Sequence, residues 1–256
     1  MSYNTFTPIV TDGLVLCLDA ANTKSYPGTG TSWLDLSKTS NNGTLTNCTF
    51  NSSNLGSISL NGSNSVVGLG DNDLFSFTSG GGVDLPFSIS VWVRLNGYGT
   101  GSIGYSTLVI KSQYNGSIWA REWQFGHTNT NGLGFGIWSP DTSGLNYITI
   151  RQNSSPLLLN TWYFLTGTYS GSKTNAGLKI YINGVLQTTV NDNGGTYVGM
   201  GNTSTTVELG RQFIVGATDN GYLNGNISNV LIYRNKELTA SEVLQNYNAT
   251  KYRYIG

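Results

Sequence analysis

The residues that could carry chemistry are few. Glutamate occurs only at Glu122, Glu208, Glu237 and Glu242, and His127 is the single histidine. A retaining glycosidase needs two carboxyl groups about 5–5.5 Å apart. Glu237 and Glu242 fall in a terminal turn and helix, and no Glu-x-Asp-x-x-Glu run exists. Glu122 and Glu208 would have to meet from different strands, and each reads more simply as a lone strand carboxylate. No Gly-x-Ser-x-Gly elbow lies near His127, so a Ser-His-Asp triad has no nucleophile. The stretch GTYSGSKT, 167–174, superficially resembles a phosphate loop, but its spacing is wrong and a strand follows it, leaving no helix N-terminus for a phosphate. The expectation is that the chain is not an enzyme.

Binding chemistry is better represented. Calcium takes six to eight oxygen ligands from carboxylates, amides and carbonyls. The loop WLDLSKTSNNG offers Asp35, Ser37, Asn41 and Asn42, with Asp35 and Asn42 the candidate metal ligands. GATDNGYLNGN offers Asp219, Asn220 and Asn224. Lys38 weighs against the first loop, and Asx-turns are the alternative for Asp35 and Asn42. Sugar binding calls for aromatic faces beside amides and hydroxyls. Trp92, Trp123, Trp138, Tyr98, Tyr105 and Tyr114 are candidates. Trp92, like Trp162, sits inside a good strand and reads as structural, whereas Tyr98, Tyr105 and Trp138 border glycine-rich loops, where binding residues concentrate. These three are the candidate ligand-binding residues.

Composition narrows the class. The 256 residues are 38% hydrophobic, 12% aromatic and only 10% charged, against a usual ~25% charged. The aromatic content argues against disorder. Thirteen basic and thirteen acidic residues cancel, giving no footprint for nucleic acid or an anionic membrane. No apolar run approaches the ~20 residues of a membrane span, and the N-terminus has no secretory signal pattern. Cys17 and Cys48 fit no zinc or redox motif; Cys17 reads as a core residue, and a bridge between the two is a question of geometry.

The elements that must position these residues are short strands. In FSISVWVRL, Phe87, Ile89, Val91, Val93 and Leu95 alternate onto one face, and Ser88, Ser90, Trp92 and Arg94 onto the other. LKIYINGVL predicts a hairpin at Asn183-Gly184, and SISLNGSNSVVGLG predicts another turn at Asn61-Gly62. About a dozen such strands, with turn signals every 8–12 residues, point to an all-β antiparallel sandwich. One helix follows. Thr239-Ala-Ser-Glu242 matches a capping box, Leu238 and Val243 a hydrophobic staple, and Val243, Leu244 and Tyr247 an apolar stripe. Residues 1–12 read as an arm, and 13–256 as one domain.

The stretches GLVLCLDAANTKSYPGTGTSWLDLSKTSNNGTL, FSISVWVRL, NTWYFLTGTYSG…LKIYINGVL and LNGNISNVLIYRNKELTASEVLQNYNATK resemble concanavalin A-like, laminin G-like jelly-roll domains, in particular those of tailed-phage structural proteins. That resemblance implies two curved antiparallel sheets packed face to face, with one short C-terminal helix. Relatives of this kind bind carbohydrate, act in adhesion, degrade glycans or serve as structure, and fold alone does not choose. The expectation is a virion surface protein (a head fibre, decoration or tail-associated protein) with a lectin-like adhesion domain for surface glycans. It would be assembled in the host cytoplasm, be homo-oligomeric, bind calcium and attach to other virion proteins through the arm. A decoration or cement protein without sugar binding, and a glycan-degrading enzyme, are the alternatives.

Overall fold

Alternation in Phe87–Gly97 sets the centre of an antiparallel sheet. Its neighbours are Trp162–Tyr169 on one side and Asn224–Arg234 on the other. Outward from these, Leu178–Ile182 and Val185–Leu186 extend one edge, while Ser57–Asn61 and Thr49–Asn51 extend the other; Leu14–Asp19 also pairs with Asn224–Arg234. A second, ten-stranded sheet is ordered Thr189–Asn191, Tyr147–Gln152, Gly132–Trp138, Trp119–Thr128, Tyr105–Tyr114, Val207–Leu209, Val66–Gly70, Gly43–Thr46 and Ser32–Trp33, with Phe213–Ile214 pairing parallel to Tyr105–Tyr114. The computed structural model describes residues 8–98, 105–128, 132–141, 143–153, 157–216 and 221–254. The sandwich class expected from the sequence is the one found. No helix among the described residues is long and apolar enough to cross a membrane.

The core lies between the sheets. Phe87, Ile89, Val91, Val93 and Leu95 meet Trp123, Phe125, Phe135 and Ile150 from the opposite sheet in one buried cluster. Phe87 sits at its aromatic centre, stacked on Phe77 at 3.9 Å and edge-on to Phe135 and Tyr169, an arrangement aromatic quadrupoles favour. The hairpin at Asn183-Gly184 forms as expected, both residues taking positive φ (51° and 82°). The Asn61-Gly62 turn does not make a hairpin: Ser57–Asn61 belongs to the eight-stranded sheet and Val66–Gly70 to the other. The turn is a corner where the chain changes sheets.

The other face of Phe87–Gly97 is also buried, because the C-terminal helix, Ala240–Thr250, covers it. The capping box is complete: Thr239 Oγ1 accepts from Glu242 N–H at 3.3 Å, and Glu242 Oε2 accepts from Thr239 N–H at 2.9 Å. Trp92 donates from Nε1 to Thr250 Oγ1 at 2.7 Å and stacks on Tyr254 at 4.1 Å. The helix is rotated from the expected stripe. Val243, Asn246 and Thr250 are buried, while Leu244 stays largely exposed. Hydrogen bonding explains the rotation: Asn246 donates to Tyr233 Oη at 3.0 Å and accepts from Val10 N–H at 2.8 Å. Val10 thereby joins the cluster beneath the helix, so the described part of the arm packs against the body of the domain. Cys17 and Cys48 are both free thiols.

Candidate functional site: an aromatic groove on the ten-stranded sheet

Glycine alternation shapes the outer face of the ten-stranded sheet. In Gly132–Trp138, Leu133, Phe135 and Ile137 point into the core, which leaves Gly132, Gly134, Gly136 and Trp138 outside. In the neighbouring Tyr147–Gln152, Ile148 and Ile150 point inward and Tyr147, Thr149 and Arg151 outward. The pairing puts Trp138 opposite Tyr147, Gly136 opposite Thr149 and Gly134 opposite Arg151. Side chains therefore rise at both sides of a backbone floor. The result is a groove of about 480 Å³, walled further by Trp119, Arg121, Gln124, Leu145 and Asp192.

Its walls are stacked. The Arg121 guanidinium lies 3.5 Å above the Trp119 ring and 5.4 Å from the Trp138 ring, and Trp138 and Tyr147 have centroids 5.6 Å apart. Such cation–π contacts hold flat surfaces in place. Arg121 also donates to Gly144 O at 3.4 Å, in a loop folded around Asp141. Burial alone would raise that carboxyl, but donors from Ser143, Asn146 and Gly144 hold it below its ordinary range. On the opposite rim, Arg151 Nε donates to Asp192 Oδ2 at 2.9 Å. The Trp138 Nε1–H has no hydrogen-bond partner among the described residues.

Of the expected sugar-site residues whose side chains are described, the structure brings only Trp138 to this groove, and Trp138 is itself mostly covered. Tyr98 is displaced from any such role: its ring stacks on buried His127 at 5.6 Å and its hydroxyl donates to Leu157 O at 2.9 Å, on the core side. Tyr105 begins a strand opposite Thr128; its side chain lies outside the described residues. Sequence reasoning missed Trp119, Arg121, Tyr147, Arg151 and Asp192. The available signal was the Gly-x-Gly-x-Gly alternation ending on a tryptophan, facing the polar alternation of YITIRQ.

The expected calcium loop does not fit a metal ion. Asp35 Oδ1 accepts from the amides of Cys17 and Ser37, both at 2.8 Å, and Oδ2 accepts from Ser37 Oγ, Thr39 Oγ1 and Asn41 N–H at 2.6–3.0 Å. Asn42 Oδ1 accepts from Asp35 N–H at 2.9 Å. Five donors occupy the carboxylate's lone pairs, and the loop satisfies itself through Asx-turns. Asp219 and Asn220 of the second loop lie outside the described residues. Among the described residues, no group of three or more His, Cys, Asp or Glu could hold a metal.

Glu122 and Glu208 do not meet; each is tied to a cation. Lys111 stands opposite Trp123, and Ser112 opposite Arg121, so Glu122 is the extra residue of a bulge, which re-aims its side chain. Its Oε1 lies 3.0 Å from Lys111 Nζ and accepts from Thr203 N–H at 2.7 Å. Desolvation raises its pKa in spite of these partners. Lys111, fully buried, also reaches Asp71 and Ser76 Oγ at 3.0 and 2.6 Å. Glu208 is forked by Arg211. His127 Nε2 accepts from Leu157 N–H at 3.2 Å, and burial pushes its pKa down to about 4.

With the two-sheet sandwich and its groove in place, comparison with known proteins gives the class. The sequence profile of the concanavalin A-like lectin/glucanases superfamily matches residues 61–244, and the chain belongs to that family. No curated protein matched. Similar solved structures include Trypanosoma rangeli sialidase in complex with sialic acid, at TM-score 0.63 and 15% identity over 99% of this chain and 37% of that one. A mutant of the same sialidase displaying trans-sialidase activity gives 0.62 and 16%, over 97% and 35%. A structure of botulinum neurotoxin type C, described for its interaction with two ganglioside molecules, gives 0.62 and 21%, over 93% and 51%. The chain thus spans about a third of the sialidase chains and half of the toxin chain. At these identities the likeness establishes the fold. It also corrects the expectation that the chain is not an enzyme: several of the structures it resembles are sialidases, glycan-degrading enzymes.

Proposed function

We propose that this chain is a glycan-binding module whose site is the groove over Gly134 and Gly136. The observation that carries the reading is the set of Trp119, Arg121, Trp138 and Tyr147 around a glycine floor. Aromatic faces take the C–H face of a sugar ring, and Gln124, Thr149 and Gln212 in the same lining take its hydroxyls. Sites of this kind combine apolar walls with a few placed polar groups. The sialic acid and gangliosides named for structures of this fold support a saccharide as the ligand class.

The proposed setting is the surface of a tailed-phage-like particle, where several copies give weak sites avidity. The likeness of its sequence motifs to phage structural proteins supports this setting, as does a surface built from Asn, Ser, Thr and Gly. Attachment falls to the residues before Pro8, because Val10 is committed to the domain's own helix. The binding reading is tested by titrating saccharides against tryptophan fluorescence. Trp119 and Trp138 should report binding, and Tyr147→Ala should abolish the response. An undiminished response in Tyr147→Ala would place the site elsewhere.

A further inference from the structure

The groove is electrically unbalanced. Among the described residues, the charged members of its lining are Arg121, Arg151 and Asp192, two cations against one anion, or net +1, in a chain whose charges sum to zero. The two arginines differ in employment. Arg121 lies flat between indoles and donates to Gly144 O. Arg151 gives Nε to Asp192 Oδ2 at 2.9 Å, and among the described residues its two terminal amino groups make no hydrogen bond.

Asp192 is held in turn. Its amide donates to Thr149 O at 3.0 Å, and its carbonyl accepts from Thr149 Oγ1. The Arg151 guanidinium is therefore fixed through one corner. The space on the paired strand is open. Gly134 stands opposite Arg151, and a Cβ built on Gly134 would meet only the carbonyls of Ile150 and Gly126, at 3.9 and 4.0 Å. A half-exposed guanidinium with its plane fixed, its amino edge unpartnered and an uncovered backbone floor beside it suits one ligand chemistry well. The planar donor fork matches a carboxylate bidentately.

Resting on the glycan-binding reading above, we propose that the groove's ligand is an acidic saccharide, with its carboxylate on the terminal amino groups of Arg151 and its ring over the Tyr147–Trp119 side. Asp192 acts as a positioning residue for that fork. The second positive charge, on Arg121, lowers the cost of bringing an anion into a partly desolvated groove.

The test uses the full chain on a glycan panel carrying sialic- and uronic-acid-terminated, sulfated and neutral saccharides. Wild-type protein should select carboxylated members. Arg151→Gln should weaken them at least about tenfold, the scale of one charge-assisted contact, and erase most of the preference for carboxylated over neutral members. Arg151→Lys keeps the charge without the fork and should recover only part of the loss. Thermal melting of each variant separates binding loss from unfolding. Equal binding of neutral and carboxylated glycans, a preference for sulfated ones, or indifference to Arg151→Gln would each overturn the carboxylate assignment while leaving the glycan site standing. No binding to any member in wild type would overturn both.

Discussion

Gly134 and Gly136 are alternate residues on one outer face, yet the structure gives them opposite tolerances. A Cβ on Gly136 would lie 2.3 Å from Thr149 Cγ2 and 3.0 Å from the Trp138 ring. Overpacking of this kind costs about 1–3 kcal/mol, offset by the ~0.5–1 kcal/mol gained when a strand glycine is replaced. Gly136→Ala should thus destabilise by roughly 1 kcal/mol and at most about 2.5 kcal/mol, a melting-temperature fall of up to about 10 °C for a domain of this size. A Cβ on Gly134 has nothing nearer than 3.9 Å, so Gly134→Ala should fold with a melting temperature within about 2 °C of wild type; Gly134→Leu, measured beside it, adds a longer side chain on the same outer face. Its side chain would occupy the groove floor. A site of millimolar affinity holds about 4 kcal/mol in total, and losing about 1.4 kcal/mol is already tenfold; saccharide binding in Gly134→Leu should fall below detection. Calorimetric melting and saccharide titration of these variants decide the matter. Equal destabilisation of the two alanine variants, or full binding by Gly134→Leu, would refute the geometry argued for the groove.

Removal of the buried cation at Lys111 should be severe. Lys111→Met leaves Glu122 charged or newly protonated without its partner, costing about 3–5 kcal/mol, readable as a lower denaturant midpoint. Buried His127, with its pKa at about 4, favours the folded state fully above the unfolded value near 6.5 and loses that contribution as pH falls towards 4. One pKa unit is about 1.4 kcal/mol, so roughly 3 kcal/mol is at stake. Glu122, shifted upward, works in the opposite sense; the comparison is therefore wild type against His127→Gln, whose stability between pH 6.5 and 4 should fall less. Deleting residues 2–7 should abolish incorporation into particles, whereas deletion through Asp12 should also lower the melting temperature by removing Val10; full occupancy of the shorter deletion would disprove attachment there. A chelator should leave the melting temperature unchanged, because Asp35 is saturated by protein donors; a clear fall would reveal a metal.

What the sequence disclosed was local. Phe87–Gly97 announced its core face by alternation, Asn183-Gly184 its turn by the need for two positive φ angles, and the helix its start by the capping box. What it hid depended on neighbours distant in the chain. Trp138 takes its meaning from Tyr147 across the sheet and from Arg121 on the preceding strand. Lys111 reads as a surface lysine until a bulge turns Glu122 towards it. Hydropathy puts Leu244 on the apolar stripe because it does not register that Tyr233 and Val10 offer Asn246 matching hydrogen bonds. Tyr98 and the groove aromatics look alike in sequence, and only strand pairing separates the core side from the outer one.

The central claim is that saccharides bind on the outer face of the ten-stranded sheet. Its most direct measurement is binding of wild type and Gly134→Leu, side by side, to the same glycan panel. The account predicts signals for wild type that vanish in the variant; identical signals from both, or none from wild type, would contradict it.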